Sequence, residues 1–128
     1  MRIPSGREYL FPGTKRTHWG GVTGATAIKN YPVQGFATAD LVPLCCINLN
    51  KALKDSDYKS LFINTVHDNV VIDVYPGEEE PMIGLMKEAM LSIRSECLKR
   101  FGVDYDMPIG VELKLGTNWM EMETVFEC

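Results

Sequence analysis

The sequence predicts an α+β domain in which an antiparallel sheet with a central β-hairpin packs against two helices. Three observations carry this prediction. Two β-branched runs meet at a short polar junction, two stretches repeat apolar residues every three to four positions, and one segment alternates apolar with charged residues. At 128 residues the chain is one domain at most, and its composition, 45% hydrophobic and 23% charged, is that of a globular protein.

Residues 1–25 are predicted to form a short hairpin followed by a loop. Residues 7–10 and 17–19 flank a turn-rich segment across which they could pair, and a glycine-rich stretch follows. Residues 1–30 carry a net charge of +4, against −8 for the remainder of the chain. This asymmetry suits contact with phosphate, although a solvated basic hairpin explains it equally well.

A first helix is predicted over residues 30–54, because apolar residues recur every four positions along one face. Those residues are Leu41, Cys45, Leu49 and Leu53. Pro43 interrupts the pattern, since a proline inside a helix removes a hydrogen bond and clashes with the preceding turn. The helix either kinks at Pro43, or its regular part begins near it with Asp40 as a cap.

The central hairpin is predicted over residues 60–75, with its junction at His67, Asp68 and Asn69. Asp and Asn tolerate the left-handed backbone conformation that two-residue turns need, so a plain turn accounts for the junction. A hairpin tip also aims its side chains rigidly above the sheet. The pattern alone therefore leaves both a turn and an exposed site open.

A second helix is predicted over residues 81–101. Pro81 suits a first helical position, acidic residues precede it, and Gly102 provides a stop. Its broad apolar stripe indicates core packing rather than a cofactor site. Residues 109–115 then alternate apolar and charged side chains, which is typical of a strand with one solvated face.

The cysteines and the hydropathy pattern exclude several classes of protein. Cys45, Cys46, Cys97 and Cys128 form no CxxC pair, so neither a zinc site nor a disulfide framework is expected, and the thiols are expected to be reduced. No apolar run is long enough to cross a bilayer, and the N-terminus lacks the apolar core of a signal peptide. We therefore expect no membrane partner and a cytoplasmic location.

Four segments that carry a more specific signal follow one another along the chain. They are Pro4-Ser5-Gly6-Arg7, residues 30–40 (Asn-Tyr-Pro-Val-Gln-Gly-Phe-Ala-Thr-Ala-Asp), residues 66–74 (Val-His-Asp-Asn-Val-Val-Ile-Asp-Val) and Gly116-Thr117-Asn118-Trp119. In this order they resemble motifs of family A DNA polymerases, the polymerase I and phage replicase type. The third resembles the third polymerase motif, usually a His-Asp-Glu hairpin. The resemblance implies a partial polymerase palm, from the C-terminal part of the enzyme.

The resemblance also implies roles for individual residues. Family A polymerases use two metal ions held by two essential aspartates, and Asp68 would be one of these Mg²⁺ ligands. His67 would lie near the primer terminus. Asn30 and Gln34 would offer hydrogen bonds to acceptors in the minor groove of primer-template DNA.

Arg7, Lys15 and Arg16 belong to the basic N-terminal third and are expected to contact DNA phosphate.

Three departures from the family pattern accompany the resemblance. Asn69 stands where the family commonly has Glu, Thr26 lies where polymerase I types carry a template-contacting Arg, and Pro43 is unusual in this helix. The family's first motif, with the other essential aspartate, and the helix that binds the triphosphate have no match here. We therefore expect the chain to be inactive alone and to need a larger polypeptide with the remaining palm, fingers and thumb, together with primer-template DNA and dNTP.

Two alternatives to a catalytic palm piece remain at this stage. A degenerate palm remnant could bind DNA or protein without catalysis, and an unrelated small α+β binding domain could match by accident. Met1 directly before the first motif, and a family-like ending, favour a natural small piece of a split polymerase. The Pro-Ser-Gly-Arg segment is phage-like, which suggests the cytoplasm of a bacterial host.

Overall fold

The computed structural model describes residues 1–128 and has the predicted α+β class, with helices packed against antiparallel strands. The helical segments are α1 (Ala25–Gln34), a π-helical segment (Gly35–Leu41), α2 (Val42–Lys54), α3 (Glu79–Leu91) and α4 (Ile93–Phe101). The strands are β1 (Leu61–Val66), β2 (Asn69–Asp73), β3 (Glu112–Gly116) and β4 (Met122–Glu127). None of the helices combines the length and the apolar character that a membrane span requires.

The first predicted helix is longer than expected and contains a change of winding. It begins at Ala25 rather than residue 30, and the π-helical segment joins α1 to α2. Pro43 is the second residue of α2, so the regular α-helix restarts beside the proline. This agrees with the alternative in which the regular part of the helix begins near Pro43. The expected cap is wrong, because Asp40 instead accepts hydrogen bonds from Ser5 and Arg7.

The predicted N-terminal hairpin between residues 7–10 and 17–19 does not form. Two smaller loops replace it, closed by isolated antiparallel bridges between Arg2 and Glu8 and between Arg16 and Val22. Each bridge encloses five residues, 3–7 in the first loop and 17–21 in the second, so the chain pairs on either side of the turn-rich stretch rather than across it.

The second predicted helix is divided at Ser92 into α3 and α4. Asn48 of α2 donates a hydrogen bond to Ser92 Oγ at 3.1 Å, and that hydroxyl donates to the Ala89 carbonyl at 2.8 Å. Pro81 is the third residue of α3 rather than the first. Gly102 ends α4 as predicted, in the left-handed conformation with φ 67°.

The strands form two separate two-stranded sheets rather than one, β1 with β2 and β3 with β4. The predicted strand over 109–115 is observed as β3, shifted to 112–116, and its partner β4 was not predicted. The alternation holds on β3, since Leu113 is buried while Glu112 and Lys114 are exposed. Backbone hydrogen bonds between Val111 and Cys128 extend this ladder by one pair.

The core lies between α2 and the pair α3 and α4, with the β1–β2 hairpin packed on its edge. Its buried residues are Leu41, Leu44, Cys45, Leu49, Ala89, Ile93 and Cys97. All four cysteines are free, and Cys45 and Cys97 are buried as the sequence predicts. Burial raises the pKa of Cys45 to about 11, so its thiol stays protonated at neutral pH.

Candidate active-site hairpin

The tip of the β1–β2 hairpin consists of His67 and Asp68. Val66 and Asn69 form the last pair of the ladder, which leaves these two residues as the turn. His67, and neither Asp68 nor Asn69, adopts the left-handed conformation, with φ 56°. A residue other than glycine is uncommon there, although histidine is among the types enriched in this region.

Asp68 presents an unbonded carboxylate to solvent. Its side chain is exposed, and it accepts no hydrogen bond from the chain and forms no ion pair within it. The neighbouring backbone is held by pairing of Thr65 with Val70 and of Val66 with Asn69. A carboxylate in this position can bind a cation without first giving up an internal partner.

The base of the hairpin is fixed by contacts that connect it to the start of α3. Glu78 accepts hydrogen bonds from the backbone N–H of Lys59 at 3.0 Å and from that of Ser60 at 2.9 Å. The Ser60 hydroxyl donates to the same carboxylate at 2.6 Å and accepts from the Tyr75 N–H at 2.9 Å. Ser60 is 3% exposed, whereas Lys59 and Tyr75 are exposed, so this corner is partly buried.

This corner, formed by Lys59, Ser60, Tyr75 and Glu78 and called here the hairpin clamp, favours an ionised glutamate. The Ser60 hydroxyl and then the Lys59 N–H lower the pKa of Glu78, because hydrogen bonds stabilise the charged carboxylate. The sequence pattern indicated only that acidic residues precede Pro81, and it gave Ser60 no role. A serine directly before an apolar strand is too common a pattern to have indicated the clamp.

One face of the hairpin packs on the core through Phe62, Val70 and Ile72. An open groove of about 680 Å³ runs between α2 and β1, and His67 lines part of it. Pro43 and Ile47 of α2 line its opposite side. The hairpin tip therefore lies at the border between the groove and solvent.

Asn30 and Gln34 are brought together on the exposed surface of α1. They lie one helical turn apart, and Asn30 Nδ2 donates to Gln34 Oε1 at 3.2 Å. This bond leaves the Gln34 amide nitrogen and the Asn30 carbonyl oxygen available to other partners. Pro32, between them in sequence, is buried, so the two amides share the opposite, solvent-facing side of the helix.

The first two resembling motifs contact each other around Asp40. Arg7 Nη2 donates to Asp40 Oδ1 at 2.7 Å, and Ser5 Oγ donates to Oδ2 at 2.6 Å. The side chain of Asp40 is only 8% exposed, whereas that of Arg7 is 48% exposed. Asp40 raises the pKa of Arg7, first through this hydrogen bond and then through its charge.

Tyr9 packs against Gly35 at the junction of α1 and the π-helical segment. A Cβ atom added at Gly35 would collide with Tyr9 Oη, so a larger residue there would displace the Tyr9 side chain. Together with the Arg7–Asp40 pair, this contact attaches the N-terminal segment to the first helix.

Lys15 and Arg16 lie on the loop that the Arg16–Val22 bridge closes, and both are exposed. No hydrogen bond or ion pair joins either residue to His67 or Asp68. The predicted site residues thus fall into three groups: the hairpin tip, the α1 amides with the attached N-terminal segment, and the basic loop.

No group of three or more His, Cys, Asp or Glu side chains could hold a metal ion by itself. Asp73, the other carboxylate of the hairpin, is exposed and pairs with Leu61 at the opposite end of the ladder. Asp73 is five positions after Asp68 along extended backbone, so their Cα atoms are roughly 16 Å apart. Asp68 offers the hard oxygen that Mg²⁺ prefers, but as a single ligand it fits only a shell that other groups complete.

Comparison with known proteins identifies one family over almost the whole chain. The sequence profile of DNA polymerase family A matches residues 4–121. DNA polymerase I of Lactococcus lactis is 34% identical over 101 residues, which is 79% of this chain and 10% of that protein. DNA polymerase I of Chloroflexus aurantiacus is 30% identical over 93 residues, 73% of this chain and 9% of that protein. No solved structure matches the chain significantly.

The chain spans about a tenth of the length of the curated relatives that it matches. DNA polymerase I of Mycobacterium tuberculosis gives the same proportions, with 30% identity over 95 residues, 73% of this chain and 9% of that protein. The match therefore covers one segment of a much longer type of polypeptide.

Proposed function

The chain belongs to DNA polymerase family A, and we propose that it is a C-terminal palm piece of a DNA-directed DNA polymerase. In this proposal Asp68 supplies one ligand for a catalytic Mg²⁺ ion. A larger polypeptide supplies the other essential aspartate and the groups that bind the dNTP. The observation that carries the proposal is the unbonded Asp68 carboxylate on a turn whose hairpin base is tied to α3.

The hairpin holds Asp68 ready to bind. The ladder fixes the turn, and the hairpin clamp fixes the base, so little conformational freedom is lost when the carboxylate gains a partner. Mg²⁺ bound there, with ligands from the partner, would supply Lewis-acid stabilisation of the attacking hydroxyl and the transferring phosphate. Asn69 beside it is neutral, so Asp68 is the one acidic side chain of the turn.

His67 is proposed to contact the primer end beside the metal-binding carboxylate. Its left-handed backbone holds the imidazole next to the groove that α2 and β1 form. Retaining a strained conformation at an exposed tip suggests a functional constraint, because a turn without a role could accommodate a less strained residue.

DNA contacts are proposed for the two polar surfaces nearer the N-terminus. The amide N–H groups of Gln34 and the second N–H of the Asn30 amide suit the minor groove, where acceptors are shared by all base pairs. Lys15 and Arg16 suit phosphate, since both are exposed and carry no internal ion pair. The half-exposed Arg7 keeps free donor positions, while its bond to Asp40 holds the guanidinium in place.

The exposed surface supports the proposal of a larger partner. The chain exposes 9187 Å², whereas a compact monomer of its mass exposes about 6,800 Å². Large apolar side chains remain exposed on the hairpin, among them Leu61, Ile63 and Val66. A surface of this kind is typical of a segment that packs against further protein.

The decisive experiment combines the chain with a polypeptide that carries the missing polymerase motifs and measures Mg²⁺-dependent primer extension. Asp68→Ala is expected to lower the initial rate at least roughly 100-fold, equivalent to about 2.7 kcal/mol of barrier. Asp73→Ala is the matched control, because it removes an exposed carboxylate from the far end of the same hairpin. Extension by the larger polypeptide alone, or an undiminished rate with Asp68→Ala, contradicts the proposal.

A second candidate, a palm remnant that binds DNA or protein without catalysis, is favoured by Asn69 at the place where the family commonly has an acidic residue. The same assay separates the two. A remnant gives no extension with any partner, and restoring the carboxylate with Asn69→Glu gives none either.

A further inference from the structure

An exposed tryptophan lies at the tip of the basic loop. Trp19 is 92% exposed, and its ring touches the edge of His18, with ring centroids 5.4 Å apart and planes at 71°. Indole is the largest aromatic side chain, and leaving it in water forgoes the gain of burying it. A fully presented indole on an ordered turn is therefore a candidate contact for a ligand.

The loop that carries Trp19 is a structured turn. The Gly20 N–H donates to the Thr17 carbonyl at 3.1 Å, and the Thr17 N–H donates to the Gly21 carbonyl at 2.9 Å. Gly20 takes the left-handed conformation, φ 78°, that closes the turn. Below it, the Thr23 N–H donates to the Lys15 carbonyl and the Lys15 N–H donates to Thr23 Oγ1, each at 2.9 Å. The backbone of Trp19 thus lies within a hydrogen-bonded turn, and its side chain is exposed.

The charge around this loop favours a polyanion over an apolar protein surface. Lys15 and Arg16 directly precede the turn, and the sequence has no carboxylate side chain between Glu8 and Asp40. A basic segment free of acidic residues attracts phosphate, and it would lose its hydration without compensation against an apolar partner.

The segment before the basic loop contacts α1 beside the proposed minor-groove amides. The Phe11 ring stacks on that of Tyr31, with centroids 6.4 Å apart and planes within 8° of parallel. Tyr31 directly follows Asn30 on α1. The segment that leads into the basic loop therefore contacts α1 at the residue next to Asn30.

From this combination we infer that Trp19, with Lys15 and Arg16, forms a binding site for single-stranded DNA, in which the indole stacks on an unpaired base. Cations that follow the backbone and an aromatic ring that stacks on a base are the two components of sequence-tolerant single-strand binding. Duplex DNA gains nothing from Trp19, since its bases are already stacked on one another. The inference rests on the proposed DNA contacts of Lys15 and Arg16, but not on the metal site.

Fluorescence of Trp19 tests the inference directly. The chain has two tryptophans, so Trp119→Phe provides a parent whose emission comes from Trp19 alone. In the full chain with this change, a dT12 oligonucleotide at low salt is expected to quench the emission, and a duplex of the same length is expected to leave it nearly unchanged. Labelled dT12 should bind roughly tenfold or more weakly to Trp19→Ala, as measured by anisotropy, while Trp19→Phe retains most of the affinity.

Charge variants complete the test. Lys15→Ala with Arg16→Ala should weaken binding and reduce its salt dependence, whereas Lys54→Ala, an exposed lysine at the end of α2, should change neither. Equal affinity of Trp19→Ala and the parent for dT12 overturns the inference, as does an equal loss for dT12 and duplex. The Asp68→Ala extension assay reports on the metal site, so either proposal can fail alone.

Discussion

The two hairpins of this chain use their polar tip residues in opposite ways. At the β3–β4 tip, Asn118 Oδ1 accepts hydrogen bonds from the N–H groups of Met120 at 2.9 Å and Glu121 at 3.2 Å, and its amide nitrogen donates to the Glu121 carboxylate at 2.9 Å. At the β1–β2 tip, Asp68 makes no such bond. The Asn118 side chain stabilises its own turn, whereas the Asp68 carboxylate remains available to a ligand.

This contrast distinguishes a polar residue that stabilises its own turn from one that remains available to a ligand. A side chain that satisfies its own turn has a stabilising role that explains its presence. An exposed carboxylate without a partner has no such role, and at Asp68 it coincides with a strained neighbour, His67. Both hairpins were marked by motifs in the sequence, yet only one presents a free ligand group.

The largest effect on stability is expected at the hairpin clamp, which holds the base of the β1–β2 hairpin. Ser60→Ala removes a buried donor to Glu78 and a buried acceptor for the Tyr75 N–H, so the free energy of unfolding should fall by about 1–3 kcal/mol. Urea denaturation measures the change. Ser95→Ala, an exposed serine of α4, is the control and should stay within about 0.5 kcal/mol of the parent.

The effect of Ser60→Ala should also depend on pH. Because the folded pKa of Glu78 is lowered, its contribution is present above the unfolded pKa and is lost as pH falls through the folded pKa. The difference in free energy of unfolding between the parent and Ser60→Ala is therefore expected to be largest at neutral pH and to shrink below about pH 4. A difference that grows on acidification would refute the role of the ionised glutamate.

A smaller effect is expected where the two tips are compared directly. Asn118→Ala removes the acceptor for two backbone N–H groups and should lower stability by about 0.5–1.5 kcal/mol. Asp68→Ala, at the equivalent place in the other hairpin, should change it by less than about 0.5 kcal/mol. Thermal unfolding of both variants checks the contrast, and equal losses would remove the distinction between the tips.

The smallest effect is a gain of stability from relieving the strained turn. His67→Gly places a residue without a Cβ at φ 56°, and the relief should outweigh the entropy cost of glycine by a few tenths to about 1 kcal/mol. The same variant should extend primers more slowly if His67 contacts the primer end. Asp68 has no positive φ, so Asp68→Gly should not stabilise the chain as His67→Gly does. The midpoints of urea denaturation measure this difference.

Local patterns in the sequence were reliable where neighbouring residues decide the structure. The β-branched runs around residue 67 predicted the hairpin to within two residues at its ends, and Gly102 marked the end of α4. Patterns failed where a distant contact decides. Ser92 divides the second helix at the point where Asn48 of α2 meets it, and Arg7 of the N-terminal segment binds Asp40 instead of pairing across the turn-rich stretch.

The sequence by itself determined the α+β class, the central hairpin and the family, because apolar periodicity and short motifs are properties of neighbouring residues. Tertiary structure alone decided that Ser5 and Arg7 hold Asp40, that Glu78 clamps the base of the hairpin, and that Asp68 remains unbonded. These contacts join residues 18 to 35 positions apart. Their formation depends on how the whole chain packs, and no local pattern specifies it.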